Sequence, residues 1–180
     1  SAASDVYKRQ ENSLEILGGK GRSLARMTRS GFRVPDGFIV TADAYRDFVS
    51  TYGIQEEIIE LAKPDLKNGY PNFEECSKKI QLIIESNQTP DTTRNKIIEA
   101  YEGLSGKDLR MAVRSSANAE DLPELSFAGQ QETFLNISTS AAIIESVHKC
   151  WASLWTPQAI SYRHQNGIDQ SSVAMAVVVQ

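Results

Sequence analysis

The last ten residues, "SSVAMAVVVQ" (171–180), constrain the fold more than any other stretch. A run of small and β-branched apolar residues with no alternation reads as a strand that needs strand neighbours on both sides. Because the sequence stops inside that run, the chain is expected to end within a domain. Other strand-like runs are "FIVT" (38–41), "LRMAV" (109–113) and "TFLNI" (133–137).

Most of what precedes them repeats with helical period. "GGKGRSLARMTRSGF" reads as a glycine turn opening a short helix, with Leu24 and Met27 facing inward and Gly31 stopping it. "VPDG" supplies a turn with Pro35 second and Gly37 fourth. Thr41 is placed to cap a helix whose stripe is Tyr45, Phe48, Val49 and Tyr52. Further stripes are Ile54, Ile58, Leu61, Ala62; then Phe73, Cys76, Ile80, Ile83; then Ile97, Tyr101, Leu104; then Ile143, Val147, Cys150, Trp151, Leu154. Asn72 with Glu75 resembles a capping box, and Thr89-Pro90 and Thr156-Pro157 read as caps with proline in the first turn. Helices early and strands mainly late predict an α+β fold. Residues 1–10, "SAASDVYKRQ", fit no periodic pattern and read as a non-native or disordered leader.

Charge narrows the partners. Nineteen basic against 23 acidic residues give a net charge of −4, with no polybasic run of the kind that binds nucleic acid. No apolar run reaches the roughly 18 residues that a membrane helix needs. Cys76 and Cys150 lie far apart on apolar stripes, without metal-ligand spacing, as reduced core thiols of a cytoplasmic protein do. A length of 180 residues suffices for one domain burying roughly 70% of its unfolded surface.

Three places carry candidate chemistry. In "GGKG" (18–21), adjacent glycines before a helix let backbone amides approach an anion, and Lys20 adds a full charge, although neither the P-loop nor the dinucleotide pattern is present. Arg114 follows an apolar strand, so its guanidinium is placed to bind a phosphate through two parallel hydrogen bonds or to pair with Glu120 or Asp121. Ser115 and Ser116 add hydroxyls or simply turn the chain. The long connection from Leu122 to Gln131, with Gly129 between Ala128 and Gln130 and Thr133 beyond it, suits a flap over phosphates as well as an ordinary exposed loop. Neither His148 nor His164 has partners at metal or catalytic-triad spacing, and Trp151, Trp155 and Tyr162 follow core spacing.

Taken together, "GGKGRSLARMTRSGFRVPDGFIVT", "MAVRSSANAEDLPELSFAGQQETFLN", "CWASLW" and "AISYRHQNGID" resemble the N-terminal nucleotide-binding domain of the phosphoenolpyruvate synthase and pyruvate phosphate dikinase family. The resemblance runs from about Leu17 to Gln180 and is nearer to phosphoenolpyruvate synthases (pyruvate, water dikinases) and rifamycin phosphotransferases than to the phosphate dikinases. It implies an ATP-grasp fold over residues 11–180, cut short at the C-terminal end. It also implies that Lys20 and Arg114 contact the ATP phosphates and carry the catalytic charge, that Gly129 and Thr133 cover them, and that Gln180 lies toward the adenine. Mg²⁺ ligands, the phosphocarrier histidine and the pyruvate site are expected beyond residue 180, leaving this segment inactive alone. Asn118, where relatives often carry threonine, is a tolerable swap. The implied reaction passes the ATP β-phosphate through a phosphohistidine to pyruvate. The alternatives are a rifamycin phosphotransferase, a non-catalytic nucleotide-binding module, or a helical interaction domain.

Overall fold

A computed structural model of the chain describes residues 14–31, 35–67, 69–104, 109–117 and 132–180. The residues 175–179 form strand β6, and it does have neighbours on both sides. The mixture of helices and strands is α+β, as the patterning predicts. Helix α1 (Leu14–Arg29) is followed by β1 (Phe38–Val40), α2 (Ala42–Thr51), α3 (Gln55–Leu61) and the hairpin β2 (Asp65–Lys67) and β3 (Tyr70–Asn72). Then come α4 (Glu74–Ser86), α5 (Asp91–Glu102), β4 (Met111–Ala117), β5 (Thr133–Ile137), α6 (Ser140–Ser153), α7 (Pro157–Gln165) and β6 (Met175–Val179).

Four strands make one antiparallel sheet in the order β1-β6-β4-β5. Period-two alternation sorts its side chains into two cores. Phe38, Val40, Met111, Val113, Met175, Val177 and Val179 face the larger core, where α2, α4 and α6 contribute Phe48, Ile80, Ile143 and Trp151, and the turn after α6 contributes Trp155. Ile39, Ala176 and Val178 face the other way and meet Leu17 and Ala25 of α1. The sheet thus lies between α1 and a helical layer, which is why the β6 run is apolar without alternation.

Several local expectations need correction. Met27 is 42% exposed, because the face of α1 that meets the sheet runs through Leu17 and Ala25. Arg114, Ser115 and Ser116 lie inside β4, paired with Val178, Val177 and Ala176, so the arginine is mid-strand and the serines are not turn residues. Thr41 occupies its N-cap position without a side-chain cap bond. Pro90, not Thr89, is the N-cap of α5; Thr89 is buried and its Oγ1 lies 2.8 Å from His148 Nε2. Asn72 Oδ1 accepts from the Glu74 amide, one residue short of capping-box spacing. Thr156 caps α7 as expected, accepting from the Ala159 amide with proline in the first turn.

In β5 the register shifts against β4, and Asn136 takes φ 60°. Asparagine tolerates this left-handed conformation, and the bulge lets Phe134 and Ile137, three positions apart, both pack on the larger core. Gly37 meets a different demand: a Cβ there would lie 2.1 Å from Val179 O. The chain entering β1 therefore runs close against the end of β6, which also carries Gln180.

Candidate functional site

Within α1, Gly18 has φ 66° and ψ 173°, so the helix breaks and restarts behind it. That backbone region is essentially restricted to glycine. A restarting helix needs an acceptor for its first amides, and glycine has no side chain to provide one. Ser116 of β4 fills the role from across the fold. Its Oγ accepts from Lys20 N at 3.1 Å and Gly21 N at 3.4 Å, and donates to Leu17 O at 3.3 Å. Next to it, Ser115 O accepts from Lys20 Nζ at 3.1 Å. The helix carrying Lys20 and the strand carrying Arg114 are therefore held together at one place.

This clamp changes the chemistry expected of the glycine turn. The Lys20 and Gly21 amides are directed at Ser116 Oγ, so they are not the anion donors that the sequence suggests. What the turn offers an anion is the Lys20 ammonium. Ser116→Ala removes the fully buried hydroxyl that two amides share as their acceptor. It is expected to lower stability by about 1–2 kcal/mol, the cost of losing an N-cap; urea denaturation measures it.

Beside the clamp lies a cleft of about 540 Å³ lined by Lys20, Arg22, Arg26, Met27, Arg114 and Gln180, with Gly19, Ser23, Leu24 and Val178. Among the described residues that line it, four are cations and none is acidic, so this wall attracts anions in a protein whose net charge is −4. Arg114 and Gln180 enter from the sheet. Arg114 lies opposite Val178, and Gln180 is tied to β4 by Ala112 N to its carbonyl at 2.7 Å and by its own amide to Ala112 O at 3.0 Å. Arg114 Nε and Gln180 Oε1 are both buried, and neither has a hydrogen-bond partner among the described residues. Buried polar atoms are ordinarily hydrogen-bonded in native folds, so both are suited to bonding a ligand that enters the cleft.

Of the sequence-derived candidates, Lys20, Arg114 and Gln180 thus line one cleft. Thr133 is the register partner of Arg114 on β5, exposed and outside the lining. Gly129, Asn118, Glu120, Asp121 and the rest of the connection lie outside the described residues. Arg22, Arg26 and the clamping role of Ser116 escaped the sequence reading. The two arginines had a legible signal: Lys20 to Arg29 holds four basic residues and no acidic one, and that +4 in a chain of −4 leaves −8 for the remainder.

Other titratable groups serve the core. Burial pushes the Cys150 thiol up to about 12, Glu132 adding to the rise and Lys20 opposing it, so the thiol is inert. Burial also lowers His148 below the ordinary imidazole range, and its ring packs against Phe48 and Trp151. Arg163 is buried, bonded to Gln170 Oε1 and Leu154 O and lying 5.0 Å over the Trp155 ring. Burial lowers it to about 10, which leaves it a cation at neutral pH.

The family described as "Pyruvate phosphate dikinase, AMP/ATP-binding domain" matches residues 14–180. A probable phosphoenolpyruvate synthase of Methanocaldococcus jannaschii is 48% identical over 171 residues, covering 93% of this chain and 14% of that protein. The phosphoenolpyruvate synthase of Aeropyrum pernix is 43% identical over 93% of this chain and 21% of its own length. A rifampicin phosphotransferase of Streptomyces sviceus is 42% identical over 98% and 20%. The chain spans about a quarter or less of the length of these curated relatives.

Proposed function

The chain belongs to the pyruvate phosphate dikinase AMP/ATP-binding domain family, and from that premise we propose that it is the ATP-binding part of a pyruvate, water dikinase (phosphoenolpyruvate synthase). In this reading residues 11–180 are the N-terminal portion of an ATP-grasp domain, residues 1–10 are a leader outside it, and the protein is cytoplasmic. Among the described residues, no helix is long and apolar enough to cross a membrane. One observation carries the reading: Lys20 and Arg114, remote in sequence, line a single cleft in which no described residue is acidic.

ATP would lie with its phosphates between those two cations and its base toward Gln180, while Gly129 and Thr133 belong to the segment covering the phosphates. The β-phosphate passes to a histidine on another domain and then to pyruvate; ATP, pyruvate and water become AMP, phosphoenolpyruvate and inorganic phosphate. Phosphoryl transfer depends chiefly on positioning and charge neutralisation, which is what a lysine clamped to the strand of Arg114 supplies. Mg²⁺ does not fit the described residues, which contain no cluster of three or more potential ligands and no carboxylate in the cleft. Its ligands are assigned to the region beyond residue 180, and so is the acceptor site; residues 1–180 alone are not expected to turn over.

Calorimetric titration of the full-length protein with ATP tests the binding step. Lys20→Met is expected to weaken ATP about tenfold, the worth of one charge-assisted hydrogen bond. Formation of AMP and phosphoenolpyruvate from ATP and pyruvate tests the rest. A full-length protein that neither binds ATP nor forms AMP overturns the proposal. The 42% identity to a rifampicin phosphotransferase favours a second reading, in which a rifamycin-type antibiotic is the acceptor; AMP formation that requires the antibiotic and ignores pyruvate would select it.

A further inference from the structure

Arg22 and Arg26 have no task in the reading above, yet both line the cleft. They lie one turn apart on α1, where side chains at i and i+4 share a face with Cβ atoms about 6 Å apart. Three other helical cations are tied to a carboxylate on the same helix, in Arg46–Asp43, Arg94–Asp91 and Lys149–Glu145. The segment from Leu17 to Gly31 contains no acidic residue, and neither Arg22 nor Arg26 makes an ion pair or side-chain hydrogen bond among the described residues. Like charges one turn apart weaken a helix, and no described residue compensates the pair. A bound polyanion would.

We propose that Arg22 and Arg26 form an outer anion subsite on the α1 wall of the cleft, which takes the terminal phosphate of a nucleoside triphosphate. The proposal rests on the nucleotide reading of this cleft. Lys20 is held at the inner end, its ammonium against Ser115 O beside the strand of Arg114. A diphosphate reaching those inner cations leaves Arg22 and Arg26 facing water. A triphosphate carries one more tetrahedral anion along the cleft, and a pair of guanidinium groups suits it because each binds phosphate oxygens through two parallel hydrogen bonds. The site therefore distinguishes ligands by their number of phosphates.

Titration of the full-length protein with ATP, ADP, inorganic tripolyphosphate and pyrophosphate at one fixed salt concentration tests this. The unmodified protein should favour ATP over ADP, and tripolyphosphate over pyrophosphate, by about tenfold or more. In the double variant Arg22→Gln, Arg26→Gln both preferences should fall to within about twofold, with ADP affinity unchanged. The variant Arg22→Lys, Arg26→Lys should restore part of each preference. Both arginines are exposed, so unchanged thermal unfolding will verify that the fold survives. The proposal is overturned if the double variant keeps its preference for ATP while Lys20→Met still weakens ATP, a result that leaves the nucleotide reading standing. Equal weakening of ATP and ADP overturns it too, since the arginines would then act as diffuse field. If the unmodified protein binds none of the four ligands, both readings fall together.

Discussion

Replacing Gly18 with alanine is expected to cost about 2–6 kcal/mol of stability, much of what a domain of this size possesses. Two separate penalties add. The backbone at φ 66° and ψ 173° lies where side chains are all but excluded, at a cost of about 1–3 kcal/mol. The new Cβ would also sit 2.2 Å from Ser116 O, 2.4 Å from Ser116 Oγ and 2.7 Å from the Ser116 carbonyl carbon. That carbonyl belongs to β4, which is paired with β6 on one side and β5 on the other, so it cannot easily retreat. Overpacking against such a neighbour costs about 1–3 kcal/mol more. Gly53 supplies the control: its φ is 62°, but nothing lies within 4 Å of its hypothetical Cβ, and alanine there should cost only about 1 kcal/mol. Urea denaturation of both variants separates strain from collision. Equal losses would mean that the close approach of β4 is not what demands glycine at position 18. The same collision would displace Lys20, so the Gly18 variant should bind ATP poorly even where it remains folded.

The sequence revealed the helices because their apolar stripes are long and regular. Ile143, Val147, Cys150 and Trp151 are all fully buried, as their spacing predicts. Strand limits were less legible, for a physical reason. The apolar run before Arg114 ends at Val113, and serines after a strand ordinarily signal a turn. Here Ser115 and Ser116 continue the strand because their partners on β6 are apolar and because the Ser116 hydroxyl is satisfied by α1. That partner lies 96 positions away, beyond the reach of any local pattern. The hairpin of β2 and β3 was missed for the opposite reason: Leu66 and Tyr70 are 67% and 77% exposed, so no buried alternation marks it. Its one local signal was Asn68-Gly69, a dipeptide favoured in tight hairpin turns, with Gly69 at φ 80°.

The site was legible in part. The types Lys20 and Arg114 declared an affinity for anions, and the family resemblance joined them; their presence in one cleft is a tertiary fact that spacing does not contain. The resemblance could not show that the turn's amides are occupied by Ser116. Nor could it single out Arg22 and Arg26, whose cationic stretch was diluted by the acidic remainder of the chain.

Arg114→Met should separate function from stability. The replacement keeps most of the buried stem volume while removing the guanidinium. Arg114 Nε is buried with no partner among the described residues, so the folded protein already bears a desolvation cost that methionine would relieve. Stability should therefore change by less than about 1 kcal/mol. Arg163 provides the contrast, since its guanidinium is bonded to Gln170 and Leu154 O and covers Trp155, where it supports the fold. For Arg114 the loss should appear in catalysis. A preorganised donor facing the charge that develops in a transition state is worth about 10²–10³ in rate, and arginines at a transferring phosphoryl group about 10³–10⁵. In the full-length protein, kcat/KM for ATP is thus expected to fall about a thousandfold. Arg114→Lys should recover only part of this, because a point charge cannot reproduce the planar fork. Steady-state kinetics beside urea denaturation decide the matter. Unfolding by Arg114→Met would make the residue a structural cation, and kcat/KM kept within tenfold in a folded variant would place phosphoryl transfer outside this cleft.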